Sequence, residues 1–218
     1  MTPSLAVVIP TLNASATLPA TLAALGNTHE IIIADGGSAD GTREAAAGVR
    51  VVTGARGRGA QIAAGVAAAE AEWLLILHAD TRLGSSWERC VHAHMAAAPD
   101  RAAYFRFRLD SPDPRARRLE RAVAWRCRVL DLPYGDQGLL VSRAVLAAAG
   151  SVRPLPLMED VDLVRRLPRP LTALPVDAVT SASRWERDGW TRRSARNLGC
   201  LALWYAGVAP ARIARLYR

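Results

Sequence analysis

The chain has 218 residues, half of them apolar, which is ample for a hydrophobic core and excludes a disordered or low-complexity chain. Its basic residues are all arginine, and the net charge is +8. Residues 1–100 hold 6 Arg and 9 acids while residues 101–218 hold 22 Arg and 11 acids, so the second half is the part expected to face anions: phosphates, a membrane surface or nucleic acid.

The first hundred residues alternate strand and helix. "LAVVI" (5–9) reads as a strand and "TLPATLAAL" (17–25) as a helix, with Pro19 near its start where a missing N–H costs nothing. "EIIIA" (30–34) is a second strand, followed by the turn-rich "DGGSADGT" and a short helix. "VRVVT" (49–53) is a third strand, "AQIAAGVAAAEA" (60–71) a helix and "WLLIL" (73–77) a fourth strand. A helix capped by Ser85 or Ser86 runs to about Ala97, where His92 and His94 are expected to be solvent residues. Alternation of this kind predicts a mostly parallel α/β sheet with helices on both faces.

The second half is less regular. "AAYFRFRLD" (102–110) alternates as a strand, and "DPRARRLERAVAWRCRVLDL" (113–132) is a basic helix with an apolar stripe. "PYGDQGLLVS" (133–142) is a loop feeding a short strand. "LMEDVDLVRRL" (157–167) opens a helix with three acids, Asp162 being expected only to complement the helix dipole. "TRRSARNLGCLALWYAG" (191–207) is a helix, and Pro210 opens a last short one. The Arg pairs 117/118 and 165/166 are expected on solvated helix faces. The whole is read as one domain, with residues 1–100 as one half and 101–218 as the other.

In parallel sheets ligands sit at the carboxyl ends of the strands. Strand one ends in Pro10-Thr11-Leu12-Asn13 and strand two in Asp35-Gly36-Gly37-Ser38. The third is followed by Arg56 and Arg58, and the fourth by His78-Ala79-Asp80. All four clusters should share one edge. Two carboxylates there, Asp35 and Asp80, would repel unless hydrogen bonds or a cation compensated. A divalent ion carried by a diphosphate is one such compensation.

Cys90, Cys127 and Cys200 are far apart and odd in number, which predicts neither a disulfide framework nor a metal pair and suggests a reducing, cytoplasmic setting. "MTPSLAVVIPTLN" has neither a basic n-region nor a long apolar core, so it does not read as a signal peptide. The late apolar run 198–209 is about half the ~20 residues a membrane span needs.

The segments "VVIPTLN", "IIIADGGSADGT", "LLILHAD", "MEDVDLVRRL" and "SRWERDGW", in this order, resemble the family 2 glycosyltransferases of the GT-A fold. "GARGRGAQIAAG", "PYGDQG" and the C-terminal segment resemble its small arsenosugar-biosynthesis-type branch. The resemblance implies a metal-dependent, inverting hexosyltransferase that uses a nucleoside-diphosphate sugar and Mg²⁺ or Mn²⁺. It puts Pro10, Thr11, Asn13, Asp35 and Gly37 beside the donor nucleotide, with Arg58, Gln61 and His78 completing that side. Asp80 matches the metal-binding acid, and His78 replaces the acid that usually stands two positions before it. Asp160 matches the catalytic base, and Asp136, Gln137, Arg184 and Trp185 fall on the acceptor side. Glu159 is adjacent to Asp160, so on a helix the two side chains diverge by about 100°. Glu159, the second catalytic candidate, is therefore expected to take a backbone or arginine partner and hold the turn.

The implied partners are the sugar nucleotide and a hydroxyl acceptor, anionic or lipid-linked. A peripheral contact with anionic lipid is expected through Trp204 and Tyr205, and no nucleic acid is expected. Three competing readings fit less well. "GRGAQI" begins like a dinucleotide fingerprint, but it follows the third strand and has Ile62 at the third glycine position. A sugar-phosphate nucleotidyltransferase would open with a Gly-rich Arg/Lys loop where this chain has "PTLNAS". An arginine-rich RNA- or membrane-binding module does not account for carboxylates at strand ends.

Overall fold

The computed structural model describes residues 3–27 and 29–217. Its frame is an eight-stranded sheet built from β1 (Leu5–Thr11), β2 (Glu30–Asp35), β3 (Arg50–Thr53), β4 (Trp73–Ile76), β5 (Thr81–Leu83), β6 (Ala103–Leu109), β7 (Leu139–Ser142) and β8 (Thr172–Thr180). The spatial order is β3-β2-β1-β4-β7-β6-β8-β5. The first four neighbours run parallel. β7 is antiparallel to both β4 and β6, β8 is parallel to β6, and β5 closes the far edge antiparallel to β8.

Two hydrophobic cores lie on the two faces of this sheet, because side chains alternate along a strand. Leu5, Val7 and Ile9 of β1 join Trp73 and Leu75 of β4 in one core. Helices α1 (Leu18–Leu25), α2 (Thr42–Ala45) and α4 (Trp87–Ala97) are on that side, with Leu18, Leu25, Trp87, Val91 and Met95 turned into it. Ala6, Val8, Leu74 and Ile76 face the other core. That core is covered by α3 (Arg58–Ala68), α5 (Pro114–Leu130), α6 (Arg143–Ala148) and α7 (Glu159–Arg166), with Trp185 of α8 (Ser183–Asp188) and Trp190 of α9 (Trp190–Tyr205) at its rim. Helix α10 (Pro210–Tyr217) follows. Gly65 lets α3 lie directly on β1, since a Cβ there would overlap Val8.

β8 has no counterpart in the sequence reading. Its "TALPVDAVT" is interrupted by Pro175, which argues against an interior strand. The structure accommodates it with a bulge: Phe105 pairs with Leu174, but Arg106 pairs with Asp177. The proline falls within the skipped residues, where no ladder N–H is required. β5, α6 and α8 were likewise not anticipated, being only 3 to 6 residues long.

Four side-chain expectations are corrected. His94 is buried and its Nε2 pairs with the Arg101 carbonyl at 2.9 Å, while His92 packs edge-on against His29. About 200° separates them on α4, and both sides of that helix meet protein. Asp162 is buried between Arg153 (3.1 Å) and Arg166 (2.7 Å), so it is more than a dipole partner. Arg117 donates to the Leu109 and Ser111 carbonyls and pairs with Glu120. Arg166 also donates to the Ala149 carbonyl and Arg165 lies over the Tyr205 ring, whereas Arg118 is exposed as expected.

Candidate active site

The four polar strand ends do meet at one edge. Pro10, Thr11, Asn13, Arg58, Gln61 and Asp80 all border an open cleft of about 690 Å³, within the usual range for a small-molecule site. A smaller cavity of about 120 Å³ opens beside it, edged by Asp136, Asp160, Tyr134 and Trp185. The two share Arg58, His78, Asp80, Ser181 and Arg184 as a common wall.

On the open side, the loop after β1 is tied to the loop after β2. Asp35 is fully buried and accepts from Thr11 Oγ1 (3.2 Å), the Gly37 and Ser38 amides (3.1 and 3.0 Å) and Arg43 Nε (3.2 Å). Burial pushes its pKa up, but the Ser38 hydroxyl, these amides and Arg43 more than offset that and hold it below the ordinary value. Its charge is thus compensated by hydrogen bonds, and it acts on the cleft through the turn it orders. Gly37 takes the positive φ of 85° that this turn requires. Asn13, also at positive φ (53°), accepts from the Ala39 amide and donates its own N–H to Ser38 Oγ, both at 2.9 Å. Gln61 is buried and its amide nitrogen donates to the Thr11 and Ala34 carbonyls, holding the ends of β1 and β2 together.

The inner side is organised around Arg58 at the start of α3. Its Nε donates to Glu159 Oε1, and its Nη2 lies 3.5 Å from Asp160 Oδ2. Burial disfavours the guanidinium charge, yet Glu159 and Asp160 more than restore it and raise its pKa. Met158, in the left-handed region at φ 65°, turns the chain so that α7 begins with these two acids. Glu159 takes the arginine and Asp160 faces the cavity, as the divergence of adjacent helical residues requires. Asp160 Oδ1 accepts from the Val161 amide (2.8 Å) and Oδ2 from the Gly135 amide (2.9 Å). Burial alone would raise its pKa, but Arg58 and the two N–H groups lower it, so it is ionised at neutral pH.

His78 fills the space between the two sides. Burial, and then Arg58, push its pKa well down against the pull of Asp80 and Asp160, leaving a neutral imidazole. A Cβ on Gly135 would lie 2.7 Å from His78 Nε2 and 3.3 Å from Asp160 Oδ2, so only glycine lets the 135–137 turn approach both. Asp136 lies in that turn with its Oδ1 buried and unpartnered, and burial first, then Asp160, push its pKa to about 6 against Arg126. Gln137 departs from expectation. It is buried behind the turn, donating to the Phe105 carbonyl (3.2 Å) and accepting from Arg126 and the Tyr134 amide, and it braces the loop without bordering either cavity.

Asp80 is the carboxylate of the shared wall, and its nearest cation is the half-exposed Arg184, loosely placed at 3.9 Å. Among the described residues no group of three or more His, Cys, Asp or Glu is arranged to hold a metal. A single carboxylate such as Asp80 would hold a hard ion only together with oxygens from a ligand. Trp185 closes the inner cavity with its ring against Phe107 (6.3 Å) and under Arg193 (5.2 Å). Asn197, Cys200 and Tyr217, from α9 and α10, also edge it and were not anticipated. Ser181, on the shared wall, was also not anticipated, because the strand it follows, β8, is itself hidden in the sequence. Gly59 of "GRGAQI" packs against the backbone of residues 153–155, where a Cβ would meet Leu155 O at 2.6 Å, so the fingerprint-like stretch serves helix packing.

The model of glycosyl transferase family 2 matches residues 6–141. No curated protein matches the chain. Among solved structures, residues 1–349 of TarS from S. aureus superpose with a TM-score of 0.63 at 13% identity, over 91% of this chain and 64% of that one. The same protein in complex with UDP gives 0.64 at 14% identity, over 84% and 62%. Glucosyl-3-phosphoglycerate synthase from Mycobacterium tuberculosis, in complex with Mn²⁺, UDP and glucosyl-3-phosphoglycerate, gives 0.56 at 19% identity, over 90% and 78%. The chain thus spans less than two thirds of the TarS structures, and the likeness is one of fold, the GT-A arrangement of a mostly parallel sheet with helices on both faces.

Proposed function

Because the chain belongs to glycosyl transferase family 2, we propose that it is a metal-dependent inverting transferase moving a hexosyl group from a nucleoside-diphosphate sugar to a hydroxyl acceptor. The supporting observation is the pair of cavities with a common wall: an open cleft at the strand ends, and an inner one edged by carboxylates. Placement in the arsenosugar-biosynthesis-type branch rests on "GARGRGAQIAAG", "PYGDQG" and the C-terminal segment. The solved relatives named above, with UDP and Mn²⁺ in their complexes, support the donor class.

The nucleotide lies along the turn ordered by Asp35, against Thr11 and Asn13. The diphosphate reaches the shared wall, where Arg58 and Arg184 add positive charge. Asp80 would hold a divalent ion, Mg²⁺ or Mn²⁺, which when bound would offset the charge of the leaving diphosphate. The acceptor hydroxyl enters the inner cavity between Asp136 and Arg184, and Asp160 takes its proton as the oxygen attacks the anomeric carbon in line. A single displacement inverts that carbon. Neutral His78 adds no competing positive charge and gives the sugar a polar wall. Trp185 and the 135–137 turn exclude water, which would otherwise hydrolyse the donor.

Calorimetry with a panel of sugar nucleotides, with and without Mn²⁺, tests this. One donor should bind, and Asp80→Ala should remove most of the metal-dependent gain. Equal affinity with and without divalent ions would remove the metal from the proposal. Failure of every sugar nucleotide to bind would remove the donor.

A further inference from the structure

Helix α5 turns toward solvent a face that the proposed chemistry does not use. At about 100° per residue, its buried residues Ala116, Glu120, Val123 and Cys127 fall on one side. The opposite arc, about 120° wide, carries Arg118, Arg121, Ala122, Trp125, Arg128 and Val129. Trp125 and Val129 are each 55% exposed, and Leu130 at the helix end is 51% exposed. Four of the other five tryptophans are buried, and Trp204 packs on the core. Of the aromatic pair expected to meet a membrane, Trp204 is partly covered, while Tyr205 is 54% exposed with Arg165 over its ring at 4.9 Å. Trp125 is the exposed indole.

We propose that this face of α5 docks the protein on an anionic lipid bilayer, with Trp125 and Val129 entering the headgroup region and Arg118, Arg121 and Arg128 meeting lipid anions. The charge pattern carries the choice of occupant. The acids near the helix are already held, Asp113 by Arg115, Glu120 by Arg108 and Arg117, and Asp131 by Arg169. Arg118, Arg121 and Arg128 have no ion pair or hydrogen bond among the described residues. The face thus carries positive charge without acids, with exposed apolar side chains interspersed among the arginines, a combination suited to a peripheral contact with anionic lipid. A two-fold contact with a second copy would set these arginines against their own equivalents. RNA would gain one stacking ring amid aliphatic Ala122, Val129 and Leu130, a poor platform for bases. No helix of the described residues is long and apolar enough to cross a membrane, so the contact is peripheral.

A neighbouring residue on the flank of α5 connects the helix to the inner cavity. Arg126, beside Trp125, lies over the Tyr134 ring at 3.4 Å and donates to the Leu132 carbonyl at 2.9 Å, and Tyr134 edges that cavity.

The test is co-sedimentation with vesicles of phosphatidylcholine alone or mixed with phosphatidylserine, at low and high salt, without any donor. The result is therefore separate from the reading of the cleft. Binding is expected only with phosphatidylserine, weakening with salt. Replacing Arg118, Arg121 and Arg128 together by Gln should lower vesicle partitioning roughly five-fold per arginine, about 100-fold in all. Vesicles should shift tryptophan emission to the blue in the wild type but not in Trp125→Phe. All four positions are exposed, so unchanged melting temperatures verify folding. No sedimentation with anionic vesicles overturns the proposal, as does equal binding by the arginine variant. A blue shift surviving in Trp125→Phe also overturns it. So does light scattering that shows a dimer abolished by Trp125→Ala, or retention of RNA in place of vesicles.

Discussion

Asp35 and Glu159 are both buried carboxylates behind the same cleft, and they are neutralised in different ways. Asp35 sits in a net of mostly short-range bonds: beside Thr11, 24 positions away, its turn amides and Arg43 come from residues within eight positions of it, and the arginine is half-exposed. Glu159 depends on one guanidinium 101 positions away, itself mostly covered. Many partial contacts tolerate the loss of one. A single buried ion pair does not, because removing one partner strands the other charge. The open side of the cleft is therefore a locally wound scaffold, whereas the inner side is a charge cluster held by tertiary packing.

The largest expected effect is on chemistry confined to the inner side. Asp160→Asn removes the proton acceptor while keeping its shape, and should cut single-turnover transfer by roughly 10²–10⁴ with nucleotide affinity changed only a few-fold. Normal turnover in this variant, with Asp136→Asn inactive, would move the base to the 135–137 turn.

Next, Arg58→Gln should cost about 3 kcal/mol of stability in urea denaturation, the lower end for breaking a buried pair because the arginine is partly exposed. Arg58→Met combined with Glu159→Leu should recover much of that loss. A double variant no better than the single one would show that packing, not the stranded charge, sets the cost.

Asp136 supplies a pH effect. Its folded-state pKa is raised from 3.8 to about 6, so between those values the folded protein binds more protons than the unfolded chain. Its contribution to stability is full below the unfolded value, falls as pH rises toward about 6 and is flat beyond it. Melting temperatures across this range should show Asp136→Asn gaining on the wild type as pH rises, and parallel curves would refute the assignment.

The smallest effect is expected from Arg43→Gln, at most about 1 kcal/mol for a half-exposed pair. If it destabilises as much as Arg58→Gln, the contrast between the two sides fails.

Wherever structure is local, it could be read from the chain. The strand runs of β1, β2 and β4, the glycine turn after Asp35 and the polar residues at strand ends follow from side-chain alternation and turn chemistry over a few residues. Those rules also put the four polar clusters on one edge. The Glu159–Arg partnership was accessible for the same reason, since adjacent helical residues must diverge. The rest rested on approaches that no local pattern encodes. Gln61 and Gln137 look like ligand-facing amides in sequence, but their partners are backbone carbonyls or distant side chains that meet only in the folded sheet. β8 was hidden because Pro175 breaks its pattern, and the bulge that accommodates it exists only against β6. The neutral state of His78, the raised pKa of Asp136 and the exposure of Trp125 depend on burial, which is set by what packs over each residue. The chain by itself determined the parallel half of the sheet, its ligand-binding edge and the residue types along it; the tertiary structure alone decided which charges are buried together and which face is left to solvent, because desolvation and charge pairing act between residues distant in sequence.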